Sequence, residues 1–271
     1  MNEIVAHERT ESLPLHAPQA PRVVTVADVP VHAVDMNGAL AQIDGFIRSR
    51  TPHYNIAINA AKVVSYHEDA ALRDAIDGAH LVTMDGQAVV WAARALGQEV
   101  PGRVAGADLM EELLAHSARR GYSVYLFGAQ EDVVEECVAR AKQLHPDLVI
   151  AGHRNGYFKA ADEPAILAAI RDARPDILFL GFGSPKKEYF MTTHYRELGV
   201  PFVMGVGGTF DVFAGRVSRA PRWIQRSGLE WGYRLAQEPR RMWKRYLVGN
   251  TRFLSLIARE LWAHYLHRSR R

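Results

Sequence analysis

Ile177-Leu-Phe-Leu-Gly181 runs into Phe182-Gly-Ser-Pro-Lys-Lys-Glu188, and Phe202-Val-Met-Gly205 runs into Val206-Gly-Gly-Thr-Phe-Asp211. Each opens as an apolar run too short for a helix and breaks at glycine or proline, the pattern of a buried strand followed by a tight turn. Between them, Lys186 to Leu198 carries helical spacing. Strand, turn, helix and strand in this order make one βαβ unit, which demands a parallel pair of strands.

Working outward, the same unit recurs from about residue 22 to residue 215. Candidate strands are Val23 to Val26, Asn55 to Ile58, Leu81 to Thr83, Ser123 to Phe127 and Leu148 to Ala151, with helical runs such as Ala39 to Ile47, Ala60 to His67, Ala107 to Ala118, Asp132 to Leu144 and Glu163 to Ala173. The alternation predicts a Rossmann-like α/β fold, a mostly parallel sheet with helices on both faces. No internal repeat or low-complexity tract interrupts it.

At 271 residues, 48% hydrophobic and 23% charged, the chain is long enough for one large domain with an appendage. The expected division is a disordered start over 1–21, an α/β domain over 22–215 and a C-terminal segment over 216–271. Cys137 is the single cysteine, so neither a disulfide framework nor a thiol metal site is expected. No stretch reaches the ~18 apolar residues that a membrane span needs, and the first 21 residues carry charge and proline where a signal peptide is apolar. The expected location is the cytoplasm.

The formal net charge of +3 conceals an uneven distribution. From Arg216 to Arg271 there are 14 Lys and Arg against three acidic residues, a net of +11, which leaves −8 for residues 1–215. The same segment holds Trp223, Trp231, Trp243 and Trp262, four of the five tryptophans. Basic residues interleaved with aromatics at helical spacing suit an anionic bilayer surface. Nucleic acid is a competing anionic partner, and a helical pair with a solvated basic face is the plain structural alternative. The membrane is the partner expected, and nucleic acid is not.

An open parallel sheet binds its ligand beyond the carboxyl ends of its strands. The residues there are Asn59, Asp85 and Gly86, Gly128, then Gly183 to Lys187, and finally Gly207, Gly208, Thr209 and Asp211. Glycines after Val203 let backbone approach a diphosphate, although such turns often carry glycine for steric reasons alone. Asp85 fits a carboxylate that removes a proton from an attacking hydroxyl, or equally a turn or helix cap. Lys186 and Lys187 at a helix start oppose its dipole, and a bound diphosphate would compensate, the alternative being ordinary exposed lysines. The twelve histidines form no His-x-x-x-His pair and no Asp-x-Asp occurs, so no metal and no other cofactor are expected, with lysine and arginine neutralising the phosphates. A Gly-x-Gly-x-x-Gly after the first strand is missing, which argues against a dinucleotide-dependent dehydrogenase.

In order along the chain stand Asn59 in Ile58-Asn-Ala-Ala-Lys62, Asp85-Gly86, Arg103-Val-Ala-Gly-Ala-Asp108, Leu126-Phe-Gly128, Gly183-Ser-Pro-Lys-Lys-Glu188 and Gly205-Val-Gly-Gly-Thr-Phe-Asp211. They are followed by Arg219-Ala-Pro-Arg-Trp223, Gly228-Leu-Glu-Trp231, Arg234, Glu238-Pro239 and Arg245-Tyr246. Together these segments, over about residues 30–250, resemble the WecG/TagA/CpsF glycosyltransferases, inverting enzymes that act on polyprenyl-diphosphate-linked sugars. The resemblance implies an α/β core that binds a UDP-sugar, a lipid-diphosphate-linked sugar acceptor, and a tail that docks on the cytoplasmic face of the inner membrane and closes the site with arginine. Asp85 matches the proposed general base and Asn59 the asparagine near the donor sugar. Arg103, Gly106 and Asp108 match the donor-cleft motif, and Asp211 the nucleotide end.

Lys187 then serves the leaving diphosphate, with Gly86, Gly128, Lys186, Glu188, Gly207, Gly208, Arg219 and Arg234 as further substrate-binding candidates. Arg222, Arg240, Arg241 and Arg245 are equal alternatives for the arginine that enters. Two positions depart from the family pattern: Lys187 stands for a usual Gln and Ala57 for a frequent Thr. Members that move N-acetylmannosamine tend to keep both, so the sequence looks closer to the exopolysaccharide branch of the xanthan-gum glucosyltransferase type. The expected reaction is metal-independent transfer of glucose from UDP-glucose to glucosyl-diphospho-polyprenol, forming a β-1,4 linkage. The alternatives are an N-acetylmannosamine transferase acting on lipid-linked N-acetylglucosamine and a membrane-bound module that binds nucleotide sugar without turnover. Self-association through the sheet edges is compatible with this fold.

Overall fold

The computed structural model describes residues 21–221, 223–224, 228, 230–237 and 239–268, excepting the side chains of 234, 239–248, 264–265 and 267–268. The start expected to be disordered therefore lies, up to residue 20, outside the described residues. Six strands form one parallel sheet in the order β4-β3-β8-β7-β5-β6. They are β3 (His53–Ile58), β4 (Leu81–Met84), β5 (Ser123–Gly128), β6 (Val149–Arg154), β7 (Ile177–Gly181) and β8 (Phe202–Gly205). Every residue of β7 is buried, as expected of a central parallel strand covered on both faces.

Helices cover both faces. Side chains from α2 (Ala60–Glu68), α3 (Ala70–Asp77), α4 (Gln87–Ala95), α7 (Glu163–Ala173) and α8 (Lys186–Leu198) enter one core, among them Val63, Leu72, Val90, Ile166 and Phe190. Those of α1 (Met36–Ser49), α5 (Gly106–Arg120), α6 (Glu131–Leu144) and α9 (Thr209–Phe213) enter the other, including Ile43, Leu109, Val134 and Phe210. The helices that follow the neighbouring strands β3 and β8 thus leave toward opposite faces. That pair is the switch point of the sheet, and the carboxyl ends of strands at a switch point are where such sheets take ligands.

Two expectations change. Val23–Val26 is no strand of the main sheet but pairs antiparallel with Val29–His32 in a separate hairpin, β1 and β2. Its turn, Ala27-Asp28, has positive φ at both residues, the I′ geometry, without the Asn or Gly that announces it in sequence. The strand read from Leu148 lies further along, at Val149–Arg154, because Leu148 is buried in a turn before it.

The C-terminal segment contributes a short helix, Glu230–Gln237, and a long one, Pro239–Arg268. Phe253 and Ile257 of the long helix are buried in the same core as α2 and the hairpin. Glu260 accepts a 2.7 Å hydrogen bond from the amide N–H of Ala27, and Arg252 pairs with Glu68. Among the described residues, no helix is long and apolar enough to cross a membrane.

Candidate active site

The carboxyl edge is joined loop to loop by backbone hydrogen bonds. The N–H groups of Asp85 and Gly86 donate to the Ile58 carbonyl at 2.8 and 3.1 Å, tying the turn after β4 to the end of β3. Those of Val206 and Gly207 donate to the Leu180 carbonyl at 2.9 and 3.1 Å, tying the turn after β8 to β7. Four strand ends and their turns thereby share one rim.

Asn59 caps α2, its Oδ1 accepting from the Lys62 N–H at 3.1 Å. A Cβ on Gly86 would come within 3.1 Å of the Asn59 Cα, so the two turns touch and only glycine fits without displacement. Asp85 is half-buried beside them. Its Oδ1 accepts from the Gly106 N–H, the first residue of α5, at 3.0 Å. That bond fixes the carboxylate at a helix N-terminus, where negative charge is favoured. Among the described residues nothing engages Oδ2. Ala57 and Met204 lie under Gly106, about 4 Å from where its Cβ would stand, so α5 starts directly above β3 and β8.

Beneath the glycine turn lies a buried charge cluster. Lys187 and Lys62 are each 7% exposed and Glu188 is wholly enclosed. Both ammonium groups reach the same Glu188 oxygen, Lys62 at 2.8 Å and Lys187 at 2.9 Å, while Lys62 also donates to the Ala57 carbonyl at 2.7 Å. Burial opposes charge on Glu188, but the two lysines outweigh it and hold the carboxyl down at about 2. With all three groups ionised, the cluster carries one net positive charge. The Lys187 stem runs under Gly205, where a Cβ would come within 2.8 Å of its Cδ and Cε, and Nζ lies 3.8 Å from where a Gly207 Cβ would stand.

The two lysines differ in surroundings. Lys187 has a partner within the chain, Glu188, that its sequence position did not reveal. Lys186 is exposed, with Nζ 3.8 Å from the Phe158 ring centroid, a cation–π contact. Glu188, a substrate-binding candidate in sequence, is fully enclosed and pairs with both lysines.

The tail meets the rim through charge. Arg103 donates to Glu230 at 2.7 Å, Arg219 pairs with Asp108 on the first turn of α5, and Arg219 Nε lies 3.7 Å from the other Glu230 oxygen. Arg103 and Asp108 therefore hold the tail in place. The side chain of Arg234 lies outside the described residues, as do those of Arg222, Arg240, Arg241 and Arg245.

Of the remaining candidates, Gly208 precedes α9 and Asp211 lies half-buried in its first turn. Gly128 is at the end of β5 with φ 149°, and a Cβ there would strike Gly181, so its lack of a side chain serves strand packing. Cys137 is enclosed, donates to the Phe210 carbonyl at 3.3 Å and has its thiol pushed up to about 12 by burial, which leaves it inert. Sequence reading passed over Lys62 and Glu230, although both stand inside quoted motifs. Lysine on an otherwise apolar helical face was the available signal for the first.

A family model described as the glycosyl transferase WecG/TagA/CpsF family matches residues 24–267. The chain belongs to this family. This WecG/TagA/CpsF glycosyltransferase is thus a transferase from a family that acts on lipid-linked sugars and uses nucleotide-sugar donors. The match runs through the terminal helix, so the tail is as much a part of the family unit as the sheet.

Proposed function

We propose that this glycosyltransferase moves glucose from UDP-glucose onto a glucosyl-diphospho-polyprenol in exopolysaccharide synthesis, by a single inverting displacement that uses no metal and forms a β-1,4 linkage. The observation that carries the reading is Asp85, fixed by one oxygen on Gly106 and, among the described residues, unengaged at the other, beside Asn59 and at the switch point of the sheet.

The acceptor hydroxyl gives its proton to Asp85 as its oxygen attacks the anomeric carbon from the face opposite UDP. Asn59 orients the donor sugar. The diphosphate lies along the Gly205–Gly208 turn, and negative charge gathers there as the anomeric bond breaks. A net positive charge fixed below that turn in a low-dielectric interior stabilises the leaving group without reorganisation. Ala57, where many relatives carry Thr, and Lys187, where most carry Gln, favour glucose over N-acetylmannosamine as the donor.

Residues 216–271 hold the protein peripherally at the cytoplasmic face of the inner membrane, as a lipid-anchored acceptor requires. The Arg103–Glu230 and Arg219–Asp108 pairs bind this segment to the mouth of the site. The test offers UDP-glucose and UDP-N-acetylmannosamine separately with a short-chain glucosyl-diphospho-lipid and reads the new linkage by NMR. A β-1,4-linked glucose product supports the assignment. Transfer of the N-acetylated sugar, or an α linkage, overturns it.

A further inference from the structure

Trp91, the one tryptophan outside the basic tail, lies on α4 and is 51% exposed. The helix is otherwise well packed, with Val89, Val90, Ala92 and Ala93 buried. Exposure of a large aromatic side chain on a face that also carries Arg94 and Ala95 has no counterpart in core packing. Trp91 also meets the tail: its Cη2 lies 2.7 Å from where a Cβ on Gly228 would stand, next to Gln87. Trp223 and Trp231, which flank Gly228 in sequence, are 69% and 41% exposed.

We infer that α4 is part of the membrane-contacting surface and that Trp91 enters the bilayer interface beside the tail. This rests on the membrane-docking reading above and extends it from the tail to the α/β core. Indole is the side chain best suited to an interface that is apolar on one side and wet on the other. The surrounding charge has the right sign, since the tail that abuts Trp91 carries the +11 excess and anionic lipid attracts it.

Geometry supplies the second reason. Gln87, the first residue of α4, follows Asp85 and Gly86 directly, and Trp91 lies one helical turn on, roughly 6 Å along the axis. An acceptor sugar joined to lipid only by a diphosphate reaches Asp85 only if the rim beside Asp85 lies close to the headgroups. The outer face of α4 is part of that rim, so Trp91 is placed at headgroup level.

The test uses the full chain and vesicles of phosphatidylglycerol and phosphatidylcholine. The four tail tryptophans are replaced by phenylalanine, leaving Trp91 as the sole indole, and its emission and quenching by brominated acyl chains are recorded. In parallel, Trp91→Ala in the otherwise native chain is co-sedimented with the same vesicles, with UDP binding as the control for folding. The expected results are blue-shifted, quenchable Trp91 emission and about tenfold weaker partition of Trp91→Ala, from loss of its buried apolar area. Native protein that binds vesicles while Trp91 stays unquenched and Trp91→Ala binds equally well overturns the inference and leaves docking to the tail alone. Native protein that fails to bind anionic vesicles overturns the membrane reading itself.

Discussion

Replacing Glu188 with glutamine probes the buried cluster most sharply. The side chain keeps its shape and loses its charge, depriving Lys62 and Lys187 of the carboxylate they share. In the native protein the Glu188 carboxyl sits at about 2 in place of the ordinary 4.5. At about 1.4 kcal/mol per unit, its ionisation contributes about 3 kcal/mol to folding at neutral pH. The same order follows from the cost of removing one partner of a buried pair, about 3 to 5 kcal/mol. Because the folded value lies below the unfolded one, this stability is complete above about pH 4.5 and drains away as the pH falls toward 2. Urea unfolding of Glu188→Gln at pH 7.5 is therefore expected to show a loss of about 3 kcal/mol, with a flatter decline from pH 5 to pH 2.5 than in the native chain. Adding Lys187→Met restores part of the loss, since only one ammonium group is then deprived of the Glu188 charge, and the two substitutions are strongly non-additive. A Glu188→Gln protein within about 0.5 kcal/mol of native stability at pH 7.5 would refute the argument, because surface substitutions behave that way.

Gly205→Ala places a methyl group against the Lys187 stem and is expected to cost about 1 to 3 kcal/mol together with most of the transferase activity, read by urea unfolding and UDP release. Glu260→Ala removes the acceptor that holds the Ala27 amide, and hydrogen exchange is expected to speed up in the β1–β2 hairpin and the terminal helix while β7 stays protected. His80 is held neutral by burial, with its pKa lowered to about 4, so the protein loses stability as the pH falls from about 6.5 toward 4, and His80→Phe removes that part of the decline in thermal unfolding.

The βαβ rhythm was legible because central parallel strands are uniformly apolar and their turns carry glycine; Ile177–Gly181 and Phe202–Gly205 stand where the pattern predicts. The hairpin was not, because Ala27-Asp28 adopts a turn whose usual residues are absent and Val23–Val26 looks like any short strand. The strand-end rule placed Asn59, Asp85 and the glycine turn on one rim, and there they lie. The different surroundings of Lys186 and Lys187 were not legible, since sequence shows two adjacent lysines as equivalent while a helix sends neighbouring side chains in different directions, here one into the Glu188 cluster and one onto Phe158. Lys62 was invisible for a related reason: its partner lies 126 residues away, and only the register of β3 beside β8 brings α2 and α8 together. The basic tail announced an anionic partner by its composition, but its burial of Phe253 and Ile257 in the main core depends on which face of a long helix meets α2.

The most direct measurement is acceptor-dependent UDP release from UDP-glucose with a glucosyl-diphospho-lipid, comparing the native protein with Asp85→Ala. If Asp85 accepts the proton of the attacking hydroxyl, the substitution lowers kcat by about 100-fold or more while UDP binding remains native and unfolding shows only the loss of the Gly106 contact, about 1 kcal/mol. Asp85→Ala that turns over at the native rate would contradict the account.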